Sequence, residues 1–235
     1  MDYTQQILVK EIGILGQQKI QEAKVLIIGA GGLGIPLATY LTTMGVGKLG
    51  IVDGDTVAIS NLHRQFMFTK EEIDMNKSKV LSKKLIALNE DIEISSFNYF
   101  IDESNINEIC RDYDIICDCS DNASTRLLID NHCYLLSKPL VYGVCRDWQG
   151  YVTILNYKNK IRLTDLFTVD QMIEEQNNNC SYFGIVSSVC GIIASYQATE
   201  LIKLITGQEL ILDGSILCIN TLNNTSRLFR INKEN

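Results

Sequence analysis

The feature that most constrains this chain is a glycine-rich junction inside residues 24–65. A β-branched apolar run, residues 25–28, leads into "GAGGLG", which places Gly29, Gly31, Gly32 and Gly34 where a strand would turn into a helix. Behind it Leu33, Leu37, Leu41 and Met44 recur at helical spacing, and Pro36 is tolerated in a first helical turn. A second strand-like run then ends in Asp53. Such a strand–turn–helix–strand unit brings backbone close to a phosphate or ribose, and the start of the helix favours negative charge. Asp53 lies near the roughly 20-residue spacing at which an acid holds a ribose hydroxyl. The unit predicts a nucleotide site without saying which nucleotide, and a nicotinamide dinucleotide remains open at this point.

The rest of the chain repeats the theme. Residues 3–22 read as helical, with interruptions near Gly13 and Gly16. Thr69 and Glu72 form a capping-box pattern that starts a short helix. Helical spacing over 77–88 stops at Asn89, a strand is expected over 92–97, and a short helix over 104–111. The compact apolar run 113–119 reads as a buried strand, followed by a helix over 123–137 and a strand over 140–144. This alternation predicts a mostly parallel sheet with helices on both faces. Beyond Gly150 the order changes to a strand over 151–157, a polar loop over 158–179 and an apolar helix over 185–206 stopped by Gly207. Two strands, 215–222 and 227–231, close the chain as a hairpin through "NNTS". The expected fold is one α/β domain over 1–235, doubly wound and Rossmann-like, extended by antiparallel C-terminal strands. Within it, 1–23 form an N-terminal helical segment, 24–145 the nucleotide-binding part and 146–235 the remainder.

Composition narrows the function classes. With 46% hydrophobic residues and 21% charged, the 235-residue chain has enough apolar content for a sizeable core. A formal net charge of −7 argues against nonspecific binding to nucleic acid or anionic lipid, though not against a local basic pocket. Residues 25–47 are uncharged, but their glycines, proline and threonines suit a packed nucleotide unit better than a membrane span. The opening "MDYTQQ" has no basic stretch before an apolar core, so a cytoplasmic protein is expected. Most of the eight cysteines sit in apolar runs and read as reduced, buried thiols. No C-x-x-C pair occurs, so a structural zinc site of that kind is not expected.

Several side chains around the junction carry chemistry. Asp53 and Asp55 follow the second strand. Asn61, Arg64 and Gln65 lie in "SNLHRQ", where the forked guanidinium of Arg64 suits phosphate oxygens and Asn61 offers a neutral donor. Lys79, at the start of the next helix, faces either solvent or a phosphate pocket. Asp121 and Asn122 sit at the carboxyl end of the expected central strand, where open parallel sheets hold their ligands. A carboxylate at that point either holds Mg²⁺ against phosphates or caps the helix that follows. Taken together, the set points to phosphate chemistry with a metal, which hydride transfer does not require.

In this order the residues resemble the ThiF/MoeB/HesA family of ubiquitin-activating-like adenylyltransferases. The matching pieces are "VLIIGAGGLG", "VGKLGIVDGDTVAISNLHRQ", "KSKV", "IICDCSDNASTR", "GYVTIL" and "GIIASYQATELIKLITG", and they cover nearly the whole chain. The resemblance implies a homodimeric enzyme that uses ATP and Mg²⁺. It would activate the C-terminal glycine of a small ubiquitin-like sulfur carrier, ThiS- or MoaD-like with a Gly-Gly tail, as an acyl-adenylate, and release pyrophosphate. Asp53 would then hold the ribose, Asn61, Arg64 and Lys79 the triphosphate, and Asp121 the Mg²⁺. Cys180, in "NNNCSYFGIV", stands where ThiF-like members carry a cysteine that links covalently to the carrier. The loop 158–179 would close over the carrier's tail.

Three departures qualify the match. The zinc-binding cysteine pairs of many relatives are replaced by "KIRLTDLF" and "LNNTSRLFR". The N-terminal arginine that relatives extend across the dimer onto phosphates is Gln5 here. No sulfurtransferase-like extension follows, so a separate sulfur donor is expected. Alternative readings keep the adenylation chemistry but move it to a peptide or a tRNA-linked carboxylate, or keep carrier binding with weakened turnover.

Overall fold

The computed structural model describes residues 1–172 and 184–231. β1 (Lys24–Ile28) lies inside the sheet because its side chains after Lys24 are apolar on both faces. Val25 and Ile27 enter one core while Leu26 and Ile28 enter the other, as the two-residue period of a strand requires. β4 (Ile115–Asp118) divides in the same way, Ile115 and Cys117 facing one core and Ile116 the other. One face of the sheet is covered by α2 (Gly13–Glu22), α3 (Gly34–Met44), α4 (Lys77–Leu88) and α7 (Ser187–Thr206). Ile20, Leu37, Leu41, Leu81, Leu85 and Ile193 make that core. α5 (Ile106–Arg111) and α6 (Ala123–Leu135) cover the other face through Ile106, Ile109, Ile129 and Cys133.

The eight-stranded sheet has the order β3-β2-β1-β4-β5-β6-β7-β8. β2 (Lys48–Val52), β3 (Glu93–Phe97) and β5 (Leu140–Arg146) run parallel to β1 and β4. β6 (Gln149–Leu155), β7 (Ser215–Asn220) and β8 (Thr225–Arg230) continue the sheet antiparallel. The chain leaves β1 toward β2 on one side and later enters β4 on the other. The loops after β1 and β4 therefore diverge and open a crevice at the carboxyl ends of those strands. Among the described residues no helix is long and apolar enough to cross a membrane.

Several details differ from the sequence expectations; among them, the closing hairpin turns through residues 221–224, because Thr225 and Ser226 of the expected turn already pair with Asn220 and Ile219. The N-terminal helix is two pieces, α1 (Thr4–Ile7) and α2, broken where Gly13 adopts φ +57°. Gly16 does not interrupt α2; it packs closely, and an added Cβ would meet Ile12 and Thr206 side chains at 3.2 and 3.3 Å. β5 continues past residue 144 to Arg146, paired with Gln149 of β6. The loop expected to be polar from 158 onward is anchored in its first part. Ile161 and Leu163 are buried, and the buried Asp130 accepts hydrogen bonds from the Leu163 N–H at 3.1 Å, Arg162 Nε at 3.2 Å and Asn156 Nδ2 at 3.0 Å.

Candidate active site

The crevice at the ends of β1 and β4 is a cleft of about 910 Å³, open to solvent. Its floor is the glycine loop, and steric limits there are tight. Gly29 adopts φ +105°, and a Cβ on it would lie 2.5 Å from the Cys119 carbonyl oxygen. A Cβ on Gly34 would lie 1.8 Å from the Gly29 carbonyl. Both positions exclude any side chain, so the loop lies directly against the end of β4 and leaves backbone facing the cleft, with Gly31 and Gly32 in its lining.

Asp53 joins β2 to this loop. Its carboxylate accepts from the Ala30 N–H at 2.7 Å and from the Asp55 N–H at 2.8 Å. Burial pushes the Asp53 carboxyl up, and the two amides work against that rise. Asp55 extends the wall and pairs with Lys77 Nζ at 3.0 Å. The lysine in the cleft wall is thus Lys77, whose side chain is buried. Lys79 is exposed and lies outside the lining, its backbone N–H held by the Asn76 side chain that caps α4.

The segment after Asp55 brings in a cation. The Asn61 carbonyl accepts from the backbone N–H groups of both Arg64 and Gln65 at 3.0 Å, and this turn carries both side chains into the cleft. Asn61 itself contributes backbone here and is not in the lining. Gln65 is buried, and its Oε1 has no hydrogen-bond partner among the described residues. Arg64 Nη1 donates to the Ser60 carbonyl at 3.3 Å.

On the opposite wall, Asn122 is the N-cap of α6, its Oδ1 accepting from the Thr125 N–H at 2.8 Å. The capping alternative for Asp121 is therefore taken by its neighbour, and the exposed Asp121 stands in the cleft wall. Beneath it Asp118 is fully buried and accepts from the Ser120 N–H at 2.8 Å and Ser120 Oγ at 2.7 Å. Burial raises the Asp118 carboxyl despite the nearby Arg126 guanidinium. Arg126 Nη2 donates to the Ser120 carbonyl at 2.8 Å, so this pair shapes the turn that presents Asp121. From α7 the buried Gln197 Nε2 reaches the carbonyls of Asp118 at 3.2 Å and Val141 at 3.4 Å, tying the ends of β4 and β5 together.

The structure therefore gathers Gly29, Gly31, Gly32, Asp53, Asp55, Arg64, Gln65, Asp121 and Asn122 around one cleft. Gly34 lies under the loop as a steric contact. Cys180 lies outside the described residues. Sequence reasoning missed Lys77, Asp118, Arg126, Gln197 and two cysteines, Cys145 and Cys190, that also line the cleft.

A glycine cradle at the switch point of a doubly wound sheet, with Arg64 and Lys77 on one wall and Asp121 on the other, is the arrangement at which open α/β sheets take phosphate-bearing ligands. The chain belongs to the ThiF family, whose family model matches residues 3–235. It is 39% identical over 230 residues to a Dictyostelium discoideum protein named adenylyltransferase and sulfurtransferase MOCS3, covering 97% of this chain and 54% of the relative. A Porphyra purpurea protein named probable molybdopterin-synthase adenylyltransferase is 36% identical over 232 residues, covering 97% of this chain and 60% of the relative. The chain thus spans little more than half the length of these relatives. Among solved structures, E. coli MccB with MccA-N7isoASN superposes with a TM-score of 0.84 at 19% identity, covering 94% of this chain and 67% of that one. PaaA superposes with a TM-score of 0.82 at 22% identity, covering 99% and 73%. These two likenesses concern the fold.

Proposed function

We propose that this chain adenylates the C-terminal glycine carboxylate of a small ubiquitin-like sulfur carrier, using ATP and releasing pyrophosphate. The observation that carries this reading is the convergence of Arg64, Lys77 and Asp121 on the cleft floored by the glycine loop. In the reaction a carboxylate oxygen forms a bond to the α-phosphorus of ATP, and the bond to pyrophosphate breaks. An anion approaching a polyanion needs charge neutralisation more than it needs a general base. Asp53, with its carboxylate fixed by two amides, holds the ribose hydroxyls. Arg64 takes phosphate oxygens through its forked donors, and Lys77 supports the same wall while paired to Asp55. Lys79, exposed and outside the lining, would have to turn its long side chain toward the phosphates once ATP is seated.

The donor set suits Mg²⁺, which takes one or two carboxylates and completes its shell with phosphate oxygens and water. Asp121, exposed in the wall because Asn122 caps the helix, is the residue that would hold it. When bound, the ion neutralises charge on the leaving pyrophosphate. Cys180 would accept the activated carrier after adenylation.

A homodimer is part of this reading. α1 docks against the far end of α3, where Gln6 Nε2 donates to the Met44 carbonyl at 3.0 Å and Asn89 Nδ2 to Tyr3 Oη at 3.0 Å. α3 is 11 residues, about 16 Å, so the exposed Gln5 lies far from its own cleft, which supports a role toward a second copy's. The test is ATP–pyrophosphate exchange with a panel of purified Gly-Gly-tailed carriers. Exchange is expected with one of them and not with its Gly-Gly-deleted form; ATP binding without exchange on any carrier would refute the reading.

A further inference from the structure

Two of the missed cleft residues share one place. Cys145 is near the end of β5, and Cys190 is in the first turn of α7. Both line the nucleotide cleft, and the two thiols lie near enough that each shifts the other's hold on its proton. Cys145 Sγ also lies 3.8 Å from the carbonyl of Val189, the residue before Cys190. Cys190 Sγ sits 3.0 Å from where a Gly32 Cβ would be, and Arg64 Cδ lies 3.7 Å from the same point. Cys190 thus sits against the glycine loop, beside the phosphate-side arginine.

We infer that Cys145 and Cys190 form a redox-active dithiol in the floor of the cleft, oxidised by a hydroperoxide to a disulfide that weakens nucleotide binding. This rests on the cleft holding ATP, and not on which carrier is adenylated. The Cys190 thiolate attacks one oxygen of the hydroperoxide, breaking the O–O bond. With one proton taken up, this gives a sulfenic acid and releases water or an alcohol. Cys145 sulfur then bonds to the sulfenic sulfur, its proton leaving with the displaced hydroxide as water. Two thiols lose two electrons and two protons, and the hydroperoxide takes both.

The division of roles follows from the surroundings. The neighbouring Cys145 thiol pulls the Cys190 thiol down, and the Arg64 charge adds to this against burial. The same contact, with burial, pushes Cys145 up, which makes Cys190 the more acidic thiol of the two and Cys145 the one that keeps its proton longer. Burial pushes the thiols of Cys110, Cys117, Cys119 and Cys133 up, so they are poor competitors. A disulfide needs an S–S length of about 2.05 Å. Closing it draws Cys190 sulfur toward β5 and away from its seat on Gly32, and the α7 turn beside Arg64 follows.

The experiment treats the full chain with hydrogen peroxide, blocks remaining thiols and maps cross-linked peptides by mass spectrometry. ATP binding is measured by calorimetry before oxidation, after it, and after dithiothreitol. Expected are a Cys145–Cys190 peptide pair, a roughly ten-fold weaker Kd for ATP and full recovery on reduction. The ratio of oxidised to reduced Kd should fall to one in Cys145→Ser and in Cys190→Ser, whatever their reduced affinities. Linkage of either cysteine to Cys180, no linkage at all, or a disulfide that leaves the ATP Kd unchanged would overturn the inference. Absence of exchange with every carrier would instead refute the adenylation reading, since the mapping uses no carrier.

Discussion

The carboxylate of Asp53, at the end of β2, accepts a 2.7 Å hydrogen bond from the Ala30 amide inside the glycine loop. One side chain thus fixes the cradle's shape and also lines the cleft. Asp53→Ala should remove both functions. It leaves the Ala30 N–H without its acceptor, so unfolding in urea should show a loss of about 1–3 kcal/mol. ATP affinity measured by calorimetry should fall about 100-fold, beyond what lost stability explains.

Gly34 offers a purely steric test. Its absent Cβ would sit 1.8 Å from the Gly29 carbonyl, and backbone on both sides cannot yield cheaply. Gly34→Ala should destabilise the fold by about 3 kcal/mol or more and abolish ATP binding. Gly191, whose Cβ would meet nothing within 4 Å, serves as the control, and Gly191→Ala should be tolerated.

Two lysines near the start of α4 should separate in kinetics. Lys77 is in the wall and paired to Asp55, so Lys77→Ala should weaken ATP binding about ten-fold. Lys79 is exposed, so Lys79→Ala should leave the Kd within about two-fold while lowering the exchange rate about 100-fold. Equal effects of both changes on Kd would refute this division.

Asp118 gives a pH signature. Its folded carboxyl is raised above the ordinary 3.8 by burial, so the folded chain holds that proton more tightly than the unfolded chain. The resulting stability is complete below 3.8 and is lost as pH rises through the higher folded value. Asp118→Asn keeps an acceptor for Ser120 but has no such titration. Urea unfolding across acid to neutral pH should therefore show wild type losing ground to Asp118→Asn as pH rises.

What was legible in the sequence was what repeats along one dimension. The apolar β-branched run 25–28 and the helical spacing in 33–44 located β1 and α3, and the order of elements implied the switch point that places the cleft. Choices between near neighbours were not legible. Lys77 and Lys79 are two positions apart, about 200° around a helix, and the spacing alone did not choose which enters the wall. Asp121 and Asn122 are both good helix caps, and only the structure shows that Asn122 takes the role. Asp118 and Asp121 sit in one short motif, yet one ends inside the sheet and the other in the cleft. Cys190 meets the cleft, and Gln197 the ends of β4 and β5 beneath it, through the packing of α7 across the sheet, and no local pattern encodes those contacts.

The most direct test of the central claim is ATP–pyrophosphate exchange by the wild-type chain with a Gly-Gly-tailed carrier, run beside Asp121→Ala. The account predicts carrier-dependent exchange in wild type and none in Asp121→Ala, which should still bind ATP in the absence of Mg²⁺. Exchange that survives in Asp121→Ala, or ATP binding with no exchange on any Gly-Gly carrier, would contradict it.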